Sequence, residues 1–168
     1  LYVVVILGVG YFALTLRDRS SAKNRYELLN LNYIIENEMS YKVVNSMDTF
    51  KAWMNNGNYD WELWEKHSSE EKGHYVAMFD IWGVSYRLIK SDNEQKSYLF
   101  MSYASSKEEI KTIYQMISKE LNAKYQIQDS SDNYSVWKAS DTRSFTCTYE
   151  KDESRGRGYK VTLKEVTK

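Results

Sequence analysis

The chain has 168 residues with 23 basic and 23 acidic side chains, 15 Tyr, 5 Trp, 5 Phe, one Cys and no Pro. Zero formal charge removes any whole-chain attraction to nucleic acid or acidic ligands, a lone Cys rules out an internal disulfide, and the lack of Pro rules out a Pro-rich linker. The length beyond residue 16 suits a single domain that needs no metal or disulfide for stability.

Residues 1–16 (LYVVVILGVGYFALTL) carry no charge, and Arg17, Asp18, Arg19, Lys23 and Arg25 follow at once. This contrast predicts an N-terminal transmembrane helix over 1–16, in contact with the lipid bilayer, and a basic juxtamembrane segment over 17–25. Sixteen residues reach about 24 Å against a hydrocarbon core of about 30 Å, so a full span needs residues upstream or local thinning of the bilayer. A cleaved signal peptide fits less well, because the one small-residue site, Ser20-Ser21-Ala22, lies beyond the charges. A third reading is a strand Val3–Leu7 leading into Gly8-Val9-Gly10-Tyr11-Phe12-Ala13, with Glu36 placed to meet a ribose, as in a dinucleotide-binding enzyme. A lone N-terminal span ahead of a large domain commonly acts as a signal anchor, so the domain at 26–168 is expected outside the cytoplasm.

Leu28, Leu31, Ile35 and Met39 form a helical stripe within residues 20–40. It faces either the domain's own core or a partner, the latter being a membrane protein or a second copy of the chain. Ser46 caps a short helix with Phe50, Trp53 and Met54 on one face, ended by Asn56-Gly57. Tyr59 to Trp64 is an insecure strand in which Trp64 falls out of phase. His74–Trp82 and Val84–Ile89 read as strands divided at Gly83, and a polar turn at 91–95 leads to a strand over 96–103. Ser106-Lys107-Glu108-Glu109 is a capping box, and Ile110, Ile113, Tyr114, Ile117 and Leu121 make one stripe, so a helix spans 106–122. Strand entry at Tyr125 and Ile127, a loop at 129–133 and a short extended piece at 134–138 follow. The last hairpin alternates Phe145, Cys147 and Tyr149, then Tyr159, Val161 and Leu163, around a charged tip at 150–158. No repeat shows in the sequence.

The expected fold class is therefore α+β: a single transmembrane helix, then one domain with an antiparallel sheet of five to seven strands and two or three helices. No catalytic set emerges. His67 and His74 are separated by six residues, which matches no common zinc spacing, and no metal or cofactor is expected. Next to Glu70 and Glu71 the two His are pH-sensitive candidates whose values those carboxylates would raise. Cys147 sits in phase with core residues. Glu62 with Glu65, Glu70 with Glu71 and Glu108 with Glu109 read as solvated surface, Arg155-Gly156-Arg157-Gly158 as a plain turn, and Asn133-Tyr134-Ser135 as a chance sequon. Trp61, Trp64, Trp82 and Trp137 form the candidate binding surface, since Trp joins a large apolar body to one N–H donor. These features lead to a non-enzymatic, membrane-anchored binding or accessory domain. The dinucleotide-dependent enzyme and a tethered structural protein facing the cytoplasm are the alternatives.

Overall fold

A computed structural model describes residues 35–36, 44–56, 61–79, 84–91, 94–103, 106–152 and 158–168. In chain order these form α1 (Met47–Asn56), β1 (Trp61–Leu63), a 3-10 turn (Glu65–His67), β2 (His74–Phe79), β3 (Val84–Ser91) and β4 (Glu94–Tyr103). Then come α2 (Lys107–Asn122), β5 (Gln126–Ser130), β6 (Tyr134–Lys138), β7 (Arg143–Lys151) and β8 (Tyr159–Thr167). Ile35 and Glu36 are helical.

Local signals set both helices. Ser46 Oγ accepts the Thr49 N–H (3.2 Å) ahead of α1, and Ser106 Oγ accepts the Glu109 N–H (3.2 Å) ahead of α2, so each start satisfies a donor that the helix itself leaves open. Phe50, Trp53 and Met54 of α1 are buried, as are Ile110, Ile113, Tyr114, Ile117 and Leu121 of α2. Both stripes agree with the sequence. Phe50 packs against Tyr75 (5.4 Å between ring centroids) and Trp53 against Tyr86 (5.5 Å), which seats α1 on β2 and β3. Tyr114 lies 5.1 Å from Tyr149, with α2 over β6, β7 and β8.

All strands join one eight-stranded sheet in the order β1-β2-β3-β4-β8-β7-β6-β5, every pairing antiparallel. The order is a palindrome of connectivity: a helix and a four-stranded meander occur twice, and the last strands of the two meanders meet in the middle. The sequence shows no such repeat, because the two copies share layout and not residues. Glycine is required at Gly73, where φ is +59° and an added Cβ would stand 3.0 Å from the Lys90 carbonyl oxygen.

The expected fold class is corrected here. The described residues form a sheet-rich domain of eight strands and two helices, and no helix among them is long and apolar enough to cross a membrane. The transmembrane helix expected at 1–16, the basic segment at 17–25 and the glycine motif at 8–13 lie outside the described residues. The strand count was low for a physical reason. β1 is only three residues long, and β5 is exposed at all five positions and shows no two-residue alternation of burial. β5 also takes in Asp129 and Ser130, which read as loop. The bend expected at Gly83 is outside the described residues as well.

Alternation gives the sheet two unlike faces. Tyr86, Leu88, Leu99, Phe145, Cys147 and Leu163 join the helix stripes in one buried core cluster. The residues between them along each strand point to the other face, which no described helix covers. Leu163→Ala is expected to cost about 2–5 kcal/mol, whereas its neighbour Thr162→Ala, on the uncovered face, should stay within about 0.5 kcal/mol. Urea unfolding of the two variants checks this.

Candidate functional site

Two places combine charged groups with structural definition: a polar cluster inside the core, and the uncovered sheet face. The first lies where β4, β8 and β7 adjoin. Glu165 is in phase with Val161 and Leu163 and therefore points inward, where it is 5% exposed. Arg143, 8% exposed, donates from Nε to Glu165 Oε1 (2.5 Å) and from Nη2 to the Ile35 carbonyl (2.7 Å). Ser97 Oγ donates to Glu165 Oε2 (3.3 Å), and the guanidinium rests 4.7 Å from the Phe145 ring centre. Such a pair offsets its desolvation cost only because several groups share the two charges.

Tyr86, Ser97, Leu99, Phe145, Leu163 and Glu165 enclose a cavity of about 10 Å³. That is space for about one water, far below the few hundred Å³ of a cofactor or substrate pocket. Burial, followed by the Glu165 charge, pushes the Tyr86 hydroxyl well above its ordinary value, so it stays protonated. The cluster is built as a clamp. It ties the inner sheet face to the backbone at Ile35, and Tyr125 Oη adds a second donor to the same carbonyl (3.5 Å).

The uncovered face is defined by strand register. Val76 of β2, Arg87 of β3, Tyr98 of β4, Lys164 of β8, Thr146 of β7 and Val136 of β6 stand directly opposite one another in turn, forming one row across the sheet. A second row runs His74, Ile89, Lys96, Val166, Ser144 and Lys138. Most of these side chains are half-buried, which is what long cations do when their alkyl stems lie over apolar neighbours. Lys164 Nζ sits 5.9 Å from the centre of the Tyr98 ring. Trp64 extends the middle row past β1. It continues the alternation of Glu62, and its backbone N–H donates to the Val76 carbonyl (2.8 Å).

The residues singled out from the sequence divide among these environments. Trp64 is 40% exposed, and its ring centre lies 3.8 Å from that of His67. Trp137 is fully buried and donates from Nε1 to Asn122 Oδ1 (2.7 Å) at the end of α2, so it is removed from the candidate binding surface. Trp61 lies in β1, and Trp82 is outside the described residues. His74 is shifted downward, by burial, then by Arg87 and His67, opposite to the rise expected from the neighbouring acids. Glu70 instead accepts the Met47 N–H (2.5 Å) before α1.

Cys147 is buried, and desolvation pushes its thiol well above the usual range, which leaves no thiolate for chemistry. Glu108 is exposed in the first turn of α2. Arg155 and Arg157 lie outside the described residues. Among the described residues no three His, Cys, Asp or Glu side chains are grouped to hold a metal. Of the stripe at 20–40, Ile35 is described and is fully buried in the core cluster.

The sequence reading assigned no role to Arg143, Glu165, Arg87, Tyr98 or Lys164. Glu165 was findable, since a charge in phase with Val161 and Leu163 signals an inward partner. Arg87, Tyr98 and Lys164 were not, because only strand order makes them neighbours. Compared with family models, with curated proteins and with solved structures, the chain gives no match.

Arg143→Met leaves the Glu165 carboxylate buried without its partner and is expected to destabilise by about 3–5 kcal/mol, while Arg143→Met with Glu165→Leu recovers most of that loss. Urea midpoints of the single and double variants decide. For His74 the sign runs the other way from a salt-bridged histidine. A folded-state value below 6.5 means the unfolded chain takes up the proton first, so stability falls as pH drops below about 6.5 toward the folded value. His74→Gln should flatten that fall, read as a smaller change of urea midpoint between pH 7.5 and 5.

Proposed function

We propose that this domain is a non-enzymatic binding module that engages a protein partner through the uncovered face of its sheet. The observation that carries the reading is the contrast between the two faces. One is closed by α1 and α2 around a fully buried apolar cluster, and the other spans eight strands with Ile89, Tyr98, Val136 and Val166 only half-buried between Lys and Arg. Antiparallel sheets tolerate one wet face, but such a face normally alternates to small polar and charged residues. Aliphatic and aromatic side chains spread across the middle of it, interleaved with cations, supply apolar area of the kind an interface needs.

The dimensions fit. Seven interstrand steps of about 4.8 Å make a face about 34 Å wide, and the strands run from three residues in β1 to ten in β4, so its length varies from about 10 to about 33 Å. The resulting extent of roughly 800–900 Å² is close to one side of a standard protein interface, about 800 Å². Trp64, exposed at the margin of the same face, is an aromatic of the kind that dominates binding energy.

Location outside the cytoplasm at a membrane, as part of this proposal, rests on the composition of residues 1–25 alone. The alternative of a dinucleotide enzyme draws no support from the described sheet, whose pairings are all antiparallel where that chemistry uses parallel strands around a crossover helix.

A photo-crosslinking residue at position 98 is expected to give one discrete protein adduct in the source cell, and the same residue at position 111, on the outer side of α2, none. The partner identified from that adduct should bind the purified chain, and Val136→Asp should weaken binding about 10-fold or more. Equal adducts from both positions, or binding indifferent to Val136→Asp, would remove the reading.

A further inference from the structure

The helix-covered face of the sheet ends in a polar row, and what that row does is independent of the binding role just proposed. Lys90 of β3 stands opposite Gln95 of β4, Gln95 opposite Thr167 of β8, and Thr167 opposite Arg143 of β7. Each is in phase with an inward residue of its own strand, namely Leu88, Leu99, Leu163 and Phe145. Gln95, Thr167 and Arg143 are buried and Lys90 is half-buried.

Both ends of this row meet a backbone carbonyl from the chain ahead of α1. Arg143 Nη2 donates to Ile35 (2.7 Å) and Lys90 Nζ to Val44, two residues whose side chains are fully buried in the core. Further ties sort the same way. From just beyond α2, Tyr125 Oη donates to the Ile35 carbonyl (3.5 Å) and Lys124 pairs with Glu36 (2.5 Å), whereas Glu70, ahead of β2, accepts the Met47 N–H (2.5 Å). Ile35 and Glu36 are thus bound to the second helix and meander, and Val44 and Met47 to the first. The β4–β8 seam lies between them. Gly73 clears the root of the Lys90 side chain, since an added Cβ there would stand 3.1 Å from Lys90 Cβ.

We propose that Ile35 and Val44 are the two ends of a latch across the seam, seated on the row Lys90, Gln95, Thr167 and Arg143, and that the two ends release together ahead of the rest of the fold. A cation that donates to a carbonyl from a buried position forms a charge-assisted bond, so each end resists release. Release at this end of the core is nevertheless cheaper than elsewhere. Water can hydrate a cation, an amide and a hydroxyl, whereas it gains nothing from the apolar pair Leu99 and Leu163 farther along the same strands. Lys90 and Arg143 are three strand intervals apart, about 14 Å, beyond the roughly 7–10 Å within which substitutions ordinarily couple. Any coupling between them therefore passes through the stretch of chain that both hold.

The test uses the full chain carrying Ile35→Cys or Val44→Cys and follows the rate at which a thiol reagent labels the introduced side chain. Cys147, buried in β7, is the internal reference for opening of the whole sheet. In both chains the introduced thiol is expected to react about 10-fold or more faster than Cys147. Lys90→Met cuts the Val44 end and should speed labelling at position 35 as much as at position 44, about 10-fold. Arg143→Met with Glu165→Leu cuts the Ile35 end without leaving a carboxylate buried alone, and should speed position 44 as much as position 35. With one end already cut the other matters little, so all three changes together should exceed either cut by less than about 3-fold. Tyr125→Phe removes one donor to the Ile35 carbonyl and leaves every charge in place. It should speed both positions about 2- to 5-fold, and it keeps the test valid if a stronger cut unfolds the sheet, which Cys147 would show by reacting as fast as the introduced thiol. A cut that speeds its own end alone, increases that multiply when the cuts are combined, or introduced thiols that never outpace Cys147 would each overturn the proposal.

Discussion

The pairing of β4 with β8 holds the molecule together. Nine residue pairs, from Gln95 with Thr167 to Tyr103 with Tyr159, join two meanders that are otherwise separate in sequence. Because these strands are antiparallel and far apart along the chain, no hairpin could connect them. The chain leaves β4, crosses the inner face as α2, and builds three more strands outward-in before β8 reaches its partner. Loop-closure entropy therefore opposes this contact more than any other in the sheet, and it is worth forming only once α1 and α2 have apolar ground on both sides of the seam. Leu99 opposite Leu163, both buried beneath the helices, is where that ground becomes continuous.

The same seam explains why a buried ion pair is tolerated in a domain of this size. Strand alternation directs Ser97 and Glu165 inward beside the seam, where apolar residues would have packed as well or better. Arg143 turns that cost to use by spanning from Glu165 to the carbonyl at Ile35, so the helical turn before α1 is fastened to the last strands of the chain. An apolar substitute could fill the space but could not satisfy a helix carbonyl. The cluster is a positioning device for backbone, and the small cavity beside it has no route to chemistry.

Much of the local structure was legible because it depended on short-range patterns. The caps at Ser46 and Ser106, both helix stripes, and the alternation in β7 and β8 were all readable from neighbouring residues, and all are present. What failed depended on distant contacts or on missing alternation. β5 is an edge strand exposed at all five positions, so its sequence had no reason to alternate. Trp137 looked like a surface anchor by residue type, but its phase with Phe145 across the β6–β7 pair decides its burial. The rise expected for His74 assumed that Glu70 and Glu71 were its neighbours, whereas pairing to β3 puts Arg87 beside it. The doubled helix-and-meander layout was invisible, since α1 is aromatic where α2 is aliphatic and the two halves share no residue pattern.

The uncovered face follows from how such a sheet is stabilised. Among the described residues, helices of ten and sixteen residues close one face of the eight strands. A face left to water would be expected to fill with Thr, Ser and matched charges, and the margin does so at Thr148 and the Glu150 with Lys160 pair. The middle does not. Val76 is 1% exposed there yet lies outside the helix-side core cluster. Folding gains little from placing Ile89, Tyr98 and Val166 half in water, and a sheet under selection for stability alone would replace them at small cost. Their position in one continuous band with Arg87 and Lys164 is the feature on which the proposed binding role rests.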